Sequence, residues 1–127
     1  MYVGSKEWAN PRRAIDYYET VVRTMGGLEV TSSFARLFLI PGADHCEGGE
    51  GAWAVDWLTY LENWVERDEA PNRVIGAHLR NGKIESPYPL DENLVDFTRP
   101  QFPYPLWAKY NGRGDPTNAE NFSAARP

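Results

Sequence analysis

The sequence predicts an α/β protein that contains part of an open sheet, and two patterns support this prediction. Two stretches in the first half of the chain place apolar residues three and four positions apart, as amphipathic helices do. Between them, residues 37–40 read LFLI without alternation, which is typical of a strand covered on both faces in a parallel sheet. The order of helix, strand, polar loop and helix over residues 1–71 therefore indicates a portion of a sheet rather than a closed fold.

The first helix is predicted over residues 11–25. Asn10 is a favourable N-cap, and Pro11 fits the first helical position because an N–H there would be unpaired anyway. Gly26 and Gly27 supply the stop at the C-terminal end of the helix. One stripe of this helix is apolar and consists of Ala14, Ile15, Tyr18, Val21, Val22 and Met25.

A strand over residues 34–40 and a second helix over residues 53–67 are predicted on either side of a polar loop. The loop, residues 41–51, is dense in glycine and short polar side chains. The second helix is strongly amphipathic, and Pro71 closes it. Its apolar face consists of Trp53, Trp57, Leu58, Leu61, Trp64 and Val65.

Residues 72–127 differ in character and are predicted to form an extended C-terminal segment that packs on the core. This part of the chain carries most of the ten prolines, each of which fixes φ and removes a hydrogen-bond donor. Residues 74–79 are the best candidate for a strand there, and Asn81-Gly82 is a turn dipeptide. We therefore divide the chain into a core portion, residues 1–71, and a proline-rich segment, residues 72–127.

Composition excludes several classes of protein. Hydrophobic residues make up 42% of the 127 residues, which suffices for one modest core, and the net charge of −5 argues against nucleic acid as the main partner. No apolar run approaches the ~18 residues of a membrane span, and residues 1–10 lack the layout of a signal peptide. Cys46 is the only cysteine, so an internal disulfide is impossible.

Asp44, His45 and Cys46 form the strongest candidate for a chemical site. They lie on the glycine-rich loop after the predicted buried strand, and reactive groups of open α/β sheets collect beyond the carboxyl ends of strands. A histidine at this place can act as a general base or acid, or it can simply bond within the loop. Together with His78 these residues could also be drawn as a metal site, although their spacing matches no standard zinc pattern. The sequence assigns His78 no part in catalysis.

Five stretches between about residues 11 and 122 carry longer motifs. They read AIDYYE from residue 14, RLFLIPGADHCEGGEGAWAVDWL from 36, RVIGAH from 73, RPQFPYP from 99 and KYNGRGD from 109. In the same order, these stretches resemble motifs of the tannase and feruloyl esterase family. The resemblance implies an α/β-hydrolase fold, of which this chain would hold a part of the sheet near the C-terminus.

The resemblance also implies a carboxylic ester hydrolase that cleaves esters of aromatic acids, such as galloyl and feruloyl esters, with a Ser–Asp–His triad. His45 matches the catalytic histidine, which would take the proton from the serine hydroxyl and return one to the leaving alcohol. Cys46 matches one half of a disulfide that the family forms with a cysteine ahead of the nucleophile. Glu7 reaches the position of the triad acid only with a one-residue gap, and the other interpretation is an exposed glutamate near the terminus.

The chain departs from the family's pattern because it contains no glycine-flanked elbow that could hold a nucleophile. Family members are several times longer, and their nucleophile half and lid, with the lid's calcium site, would lie ahead of Met1. We therefore expect no cofactor in this chain and no turnover by the isolated chain. If the isolated chain were active, Ser5, Ser32 and Ser33 would be the serines to test.

The expected partners are an aromatic-acid ester in a complete enzyme and an upstream half or a second copy of the chain, with no nucleic acid and no membrane. The family is typically secreted, but the sequence leaves the compartment open. The alternative function is that of a non-catalytic remnant or interaction domain, held to a partner chain by its aromatic and proline-rich surface. An upstream segment with a serine elbow would distinguish the two.

Overall fold

The computed structural model describes residues 1–4, 11–84 and 88–126. In chain order the elements are β1 (Tyr2–Gly4), α1 (Pro11–Thr24), α2 (Leu28–Ser32), β2 (Phe38–Ile40), α3 (Trp57–Arg67), β3 (Val74–Leu79), β4 (Val95–Gln101), β5 (Trp107–Tyr110) and β6 (Phe122–Ala125). Short 3₁₀ turns, Glu92–Leu94 and Ala119–Asn121, precede β4 and β6. None of the helices in these ranges is long and apolar enough to cross a membrane.

The described strands form three two-stranded ladders rather than one sheet. β1 runs parallel to β2, whereas β3–β4 and β5–β6 are antiparallel pairs. Single bridges link two of these ladders to segments outside them: Phe38 of β2 pairs with Pro103, and Ala77 of β3 pairs with Ala54. The parallel arrangement is therefore limited, within the described ranges, to two strands whose carboxyl ends point towards the loop at residues 41–51.

Helix α1 confirms the first predicted helix and packs its apolar stripe against the β1–β2 ladder. Its residue Tyr18 is buried in a cluster with Val3 and Leu37. The Tyr104 ring meets Tyr18 edge-on, and the Tyr104 hydroxyl donates to the Glu19 carboxylate at 2.6 Å. These contacts fix α1 against the strand ahead of the loop and against the proline-rich part of the chain.

β2 is shorter than the strand predicted over residues 34–40, because the chain ahead of it is helical. Helix α2 comes first, and the N–H groups of Phe34 and Ala35 still donate to the Thr31 carbonyl, at 3.1 and 2.8 Å. An N–H that continues a helical turn has no capacity left to pair in a ladder. The strand therefore begins later, and the prediction was wrong for its first half.

Helix α3 also begins later than predicted, because Asp56 caps it. The Asp56 carboxylate accepts hydrogen bonds from the Thr59 N–H and hydroxyl, at 3.2 and 2.7 Å. The residues ahead of the cap are buried, and Ala54 exchanges two backbone hydrogen bonds with Ala77 of β3, at 3.0 and 2.9 Å. Trp53 therefore lies in the core and not on the helix, which corrects the predicted start at that residue.

The apolar face of α3 is only partly covered in this structure. Trp57, Tyr60 and Trp64 are half-buried, and Trp57 packs against two core clusters. The aliphatic side chains of the same helix are mostly in solvent: Leu58 is 65% exposed, Leu61 55% and Val65 76%. Because they follow one another at helical spacing, these three residues form one line on the surface, which we call the α3 stripe.

We expect the α3 stripe to make the purified chain self-associate and bind apolar dyes, because an exposed apolar patch favours association. Replacing its three residues together by Gln should lower both the dye fluorescence and the average mass in analytical ultracentrifugation. The matched control replaces Glu62 and Glu66, exposed residues of the same helix, by Gln. A compact monomer with a sharp melt, no dye signal and no response to the triple replacement would contradict this expectation.

The segment predicted as an extended tail contains two antiparallel strand pairs. β3 confirms the strand predicted over residues 74–79, and all six of its residues pair with β4, with a register shift between His78 and Leu79. The Arg99 guanidinium of β4 is stacked between Phe97 and Phe122, 4.7 and 4.4 Å from the ring centres, so it joins β4 to β6. Burial lowers the pKa of Arg99. The proline-rich segment therefore contains two paired ladders that pack on each other through Arg99, rather than only extended segments and turns.

Candidate functional site

The loop at residues 41–51 leaves the carboxyl end of β2 and closes on itself through a narrow neck. The Gly42 carbonyl accepts two hydrogen bonds, from the N–H groups of Glu50 at 2.8 Å and Gly51 at 3.1 Å. A side chain at Gly49 would collide with the Gly42 carbonyl oxygen. The absence of a Cβ therefore lets the two sides of the loop approach closely.

His45 and Cys46 lie at the tip of this loop, and both residues are exposed. The His45 carbonyl accepts a hydrogen bond from the Glu47 N–H at 2.9 Å, and Cys46 between them has a φ of 69°. This combination defines a γ-turn, which is a strained conformation for a residue with a side chain. The Asp44 N–H donates to the Gly48 carbonyl at 3.2 Å, which joins the two chain segments on either side of the turn. The backbone that carries His45 is thus tightly turned.

Strand β1, which the sequence pattern did not reveal, ends directly beside this loop. β1 and β2 are parallel, so their carboxyl ends lie at the same edge of the ladder. Gly4 is buried there, and a Cβ on it would lie 2.8 Å from the Asp44 carbonyl oxygen and 2.9 Å from the Ala43 carbonyl carbon. Glu7, the candidate acid, lies outside the described residues. The described strand ahead of it contacts the His45 loop.

His78 lies on β3 and contacts the base of the same loop. Its Nδ1 lies 3.0 Å from the Gly51 carbonyl oxygen, and its ring stacks on Phe97 with ring centres 4.9 Å apart. Throughout the described part of the chain, no group of three or more His, Cys, Asp or Glu residues is arranged to hold a metal ion. The metal interpretation of the loop residues and His78 therefore gains no support.

The serines named as secondary candidates are engaged elsewhere. The Ser32 hydroxyl donates to the Leu28 carbonyl at 2.7 Å, and the Ser33 hydroxyl donates to the Val30 carbonyl at 2.8 Å. Both hydroxyls thus donate to backbone carbonyls about one turn earlier in α2. Ser5 lies outside the described residues.

A cavity of about 440 Å³ borders the base of the loop. Glu50 and Gly51 line it on the loop side, while Arg99 and Trp107 line it from β4 and β5. A larger cavity of about 560 Å³ is lined mainly by α3, β3 and β4 and by no residue of the loop. A ligand near the loop could occupy the 440 Å³ cavity, which offers both an aromatic ring and a guanidinium.

Comparison with known proteins identifies the family of this chain. Residues 1–125 match the family described as tannase and feruloyl esterase. The chain therefore belongs to the tannase and feruloyl esterase family, which confirms the resemblance inferred from the motifs.

Similar proteins include enzymes and probable enzymes that cleave esters. The mono(2-hydroxyethyl) terephthalate hydrolase of Piscinibacter sakaiensis is 42% identical over 112 residues, which are 88% of this chain and 17% of that protein. A probable feruloyl esterase of Arthroderma benhamiae is 34% identical over 122 residues, 94% of this chain and 21% of that protein. The crystal structure of an esterase from Aspergillus oryzae matches with a TM-score of 0.84 at 27% identity, over 98% of this chain and 26% of that chain. The chain thus spans between 17% and 26% of the length of these proteins.

Proposed function

We propose that this chain is the part of a carboxylic ester hydrolase that supplies the catalytic histidine, His45, to a serine acyl-enzyme mechanism. The observation that carries the proposal is the position of His45, at the tip of a narrow-necked loop beyond the carboxyl end of β2 and next to the end of β1. Open α/β sheets assemble their reactive groups at this edge. The ester-cleaving relatives support the reaction class. The fold that goes with this proposal is the α/β-hydrolase fold, with the β1–β2 ladder as part of its sheet.

In the proposed reaction, His45 takes the proton of a serine hydroxyl while the serine oxygen forms a bond to the ester carbonyl carbon. The imidazolium then gives this proton to the alcohol oxygen as the bond between acyl carbon and alcohol oxygen breaks. In deacylation, His45 takes a proton from a water molecule while the oxygen of that water attacks the acyl carbon. The carboxylic acid is released, and the serine oxygen regains its proton from the imidazolium.

The remaining machinery is proposed to come from a part of the enzyme other than these 127 residues. That part would hold the serine and the backbone N–H of the oxyanion hole, which normally follows the serine. Glu7 is the candidate for the acid that orients His45, because glutamate fills this place in some triads. Cys46, whose exposed thiol is free here, is proposed to pair with a cysteine of the upstream part. The proposed substrate is an ester of an aromatic acid.

A chimera tests this proposal most directly. In it, this chain replaces the matching segment of the Piscinibacter sakaiensis hydrolase, with which it shares 42% identity. We expect the chimera to release terephthalate from mono(2-hydroxyethyl) terephthalate, while the isolated chain and the truncated relative each stay at background. Liquid chromatography of the released acid measures the rate. Turnover by the isolated chain alone would overturn the proposal that the nucleophile lies elsewhere.

The α3 stripe favours a second candidate function, in which the chain docks on a partner chain without taking part in catalysis. A chimera that folds, as judged by a cooperative melt, and yet shows no turnover would support this second function over the first. If the turnover of the chimera depended on His45, docking on a partner chain would not be the sole function of this chain.

A further inference from the structure

His78 forms a hydrogen bond with the Gly51 carbonyl, and this contact has no part in the proposed mechanism. The Gly51 N–H donates to the Gly42 carbonyl and closes the neck of the loop, at 3.1 Å. The carbonyl of the same residue faces the other way and lies 3.0 Å from Nδ1 of His78. Gly51 is therefore held from both sides, by the loop itself through its N–H and by β3 through its carbonyl.

The position of the His78 ring is fixed by its neighbour on β4. His78 and Phe97 are partners in the β3–β4 register, and their rings are stacked at 4.9 Å with an angle of 1° between the planes. Because a carbonyl oxygen only accepts, the nitrogen that bonds to Gly51 must carry a hydrogen. Neutral His78 is therefore the tautomer with its proton on Nδ1, and the stacking keeps this N–H directed at the loop.

The chain beyond the neck is held by β3 at successive residues. Ala54 and Ala77 exchange two backbone hydrogen bonds, and the Ala52 carbonyl packs so closely on Gly76 that no Cβ would fit between them. The His78 bond is the contact of this series nearest to the loop. Without it, Gly51 would keep the bond from its N–H to the Gly42 carbonyl at the neck but would lose this hydrogen bond from β3.

We propose that His78 is a positioning residue whose hydrogen bond from Nδ1 to the Gly51 carbonyl fixes the neck of the loop and thereby the place of His45. The ordering of the loop stands on the geometry alone, while its consequence for ester hydrolysis rests on the proposed function. The competing explanation is that His78 merely fills space beside Phe97. The two differ in what is required of the side chain, because the first needs a donor at Nδ1 and the second needs only a flat or bulky apolar group.

Three replacements of His78 separate these explanations. His78→Asn keeps an N–H donor near the place of Nδ1, His78→Leu has nearly the same size as Asn without a donor, and His78→Phe keeps the stacked ring without a donor. The Glu50 and Gly51 N–H groups form the hydrogen bonds of the neck. Their hydrogen-exchange rates, measured by NMR on the isolated chain, show how often the neck opens. We expect exchange to rise about tenfold in the Leu and Phe variants, relative to amides of the β5–β6 ladder, and to change little in the Asn variant.

Equal exchange in the Asn and Leu variants, or a rise shared equally by the loop and the β5–β6 ladder, would overturn the proposal. In the chimera, His78→Leu should lower kcat about tenfold and leave KM nearly unchanged, with His78→Asn restoring most of kcat, because a displaced base affects the chemical steps more than binding. An increase in KM with an unchanged kcat would also count against a positioning role. A chimera without turnover would remove the proposed function, but the exchange experiment would still decide the role of His78 in the loop.

Discussion

Replacing His45 by Ala in the chimera is expected to lower kcat by roughly 10⁴-fold, with a much smaller change in KM. Without the imidazole, the serine hydroxyl keeps its proton and is a weak nucleophile at neutral pH. The alcohol must then leave without the proton that the imidazolium would have supplied. In the proposed mechanism both half-reactions depend on His45, so the loss is expected in acylation and in deacylation alike.

The control for this variant is Glu47→Gln on the same loop tip. Glu47 donates its backbone N–H to the His45 carbonyl at 2.9 Å, and the replacement keeps that N–H, so it should leave turnover within a few-fold of the parent. Initial rates of acid release over a range of substrate concentrations give kcat and KM for each protein. If His45→Ala retained more than about a tenth of the parental kcat, His45 would not be the general base.

Gly76→Ala is expected to cost about 3 kcal/mol of unfolding free energy, a large effect for one added methyl group. The new Cβ would overlap the Ala52 carbonyl oxygen and lie 3.1 Å from a methyl carbon of Val55. Neither group can retreat easily, because the chain between them is buried and bonded to β3 through Ala54. The strain must therefore separate this segment from β3 or distort the strand.

Gly112→Ala is the matched control for this replacement. Gly112 has a φ of 76°, and no atom lies within 4 Å of the place where a Cβ would be. Alanine there strains the backbone without crowding any neighbour, so it should lower the unfolding free energy by about 1 kcal/mol. Urea unfolding followed by circular dichroism gives the free energies of both variants, provided that the slope with urea is unchanged. If the two replacements proved equally costly, close packing at Gly76 would not be the cause.

The sequence predicted those elements of the fold that are long enough to show a repeating apolar pattern and are bounded by proline or glycine. The sequence of helix α1 has apolar residues at helical spacing between a proline and two glycines, and β3 is a clear apolar run, so both were found. The His45 loop was recognisable from its glycines and from the family resemblance. The strand β1 and the helix α2 have only three and five residues, too few for a periodic pattern to stand out.

Where the sequence misled, a distant contact outweighed a local pattern. Trp53 and Trp57 are four residues apart, as on a helix face, but the pairing of Ala54 with Ala77 keeps the first of them in an extended segment. The bond between His78 and Gly51 joins residues 27 positions apart, and a single histidine in an apolar strand gives no sign of its partner. Such pairings arise only when the ladders assemble, so they cannot be read from either segment alone.

The division of the described strands into three pairs has a consequence for how the molecule opens. Among the described residues the ladders share no continuous sheet, so the cooperativity between them depends on isolated backbone contacts, such as the bond from the Thr98 N–H to the Thr117 carbonyl at 2.8 Å, and on side chains such as Arg99 between its two phenylalanines. Two-stranded ladders are only marginally stable by themselves. Each pair should therefore behave as its own foldon, with a separate free energy of sub-global opening, and we expect β5–β6 to detach while the β1–β2 ladder, which leads into the His45 loop, stays closed.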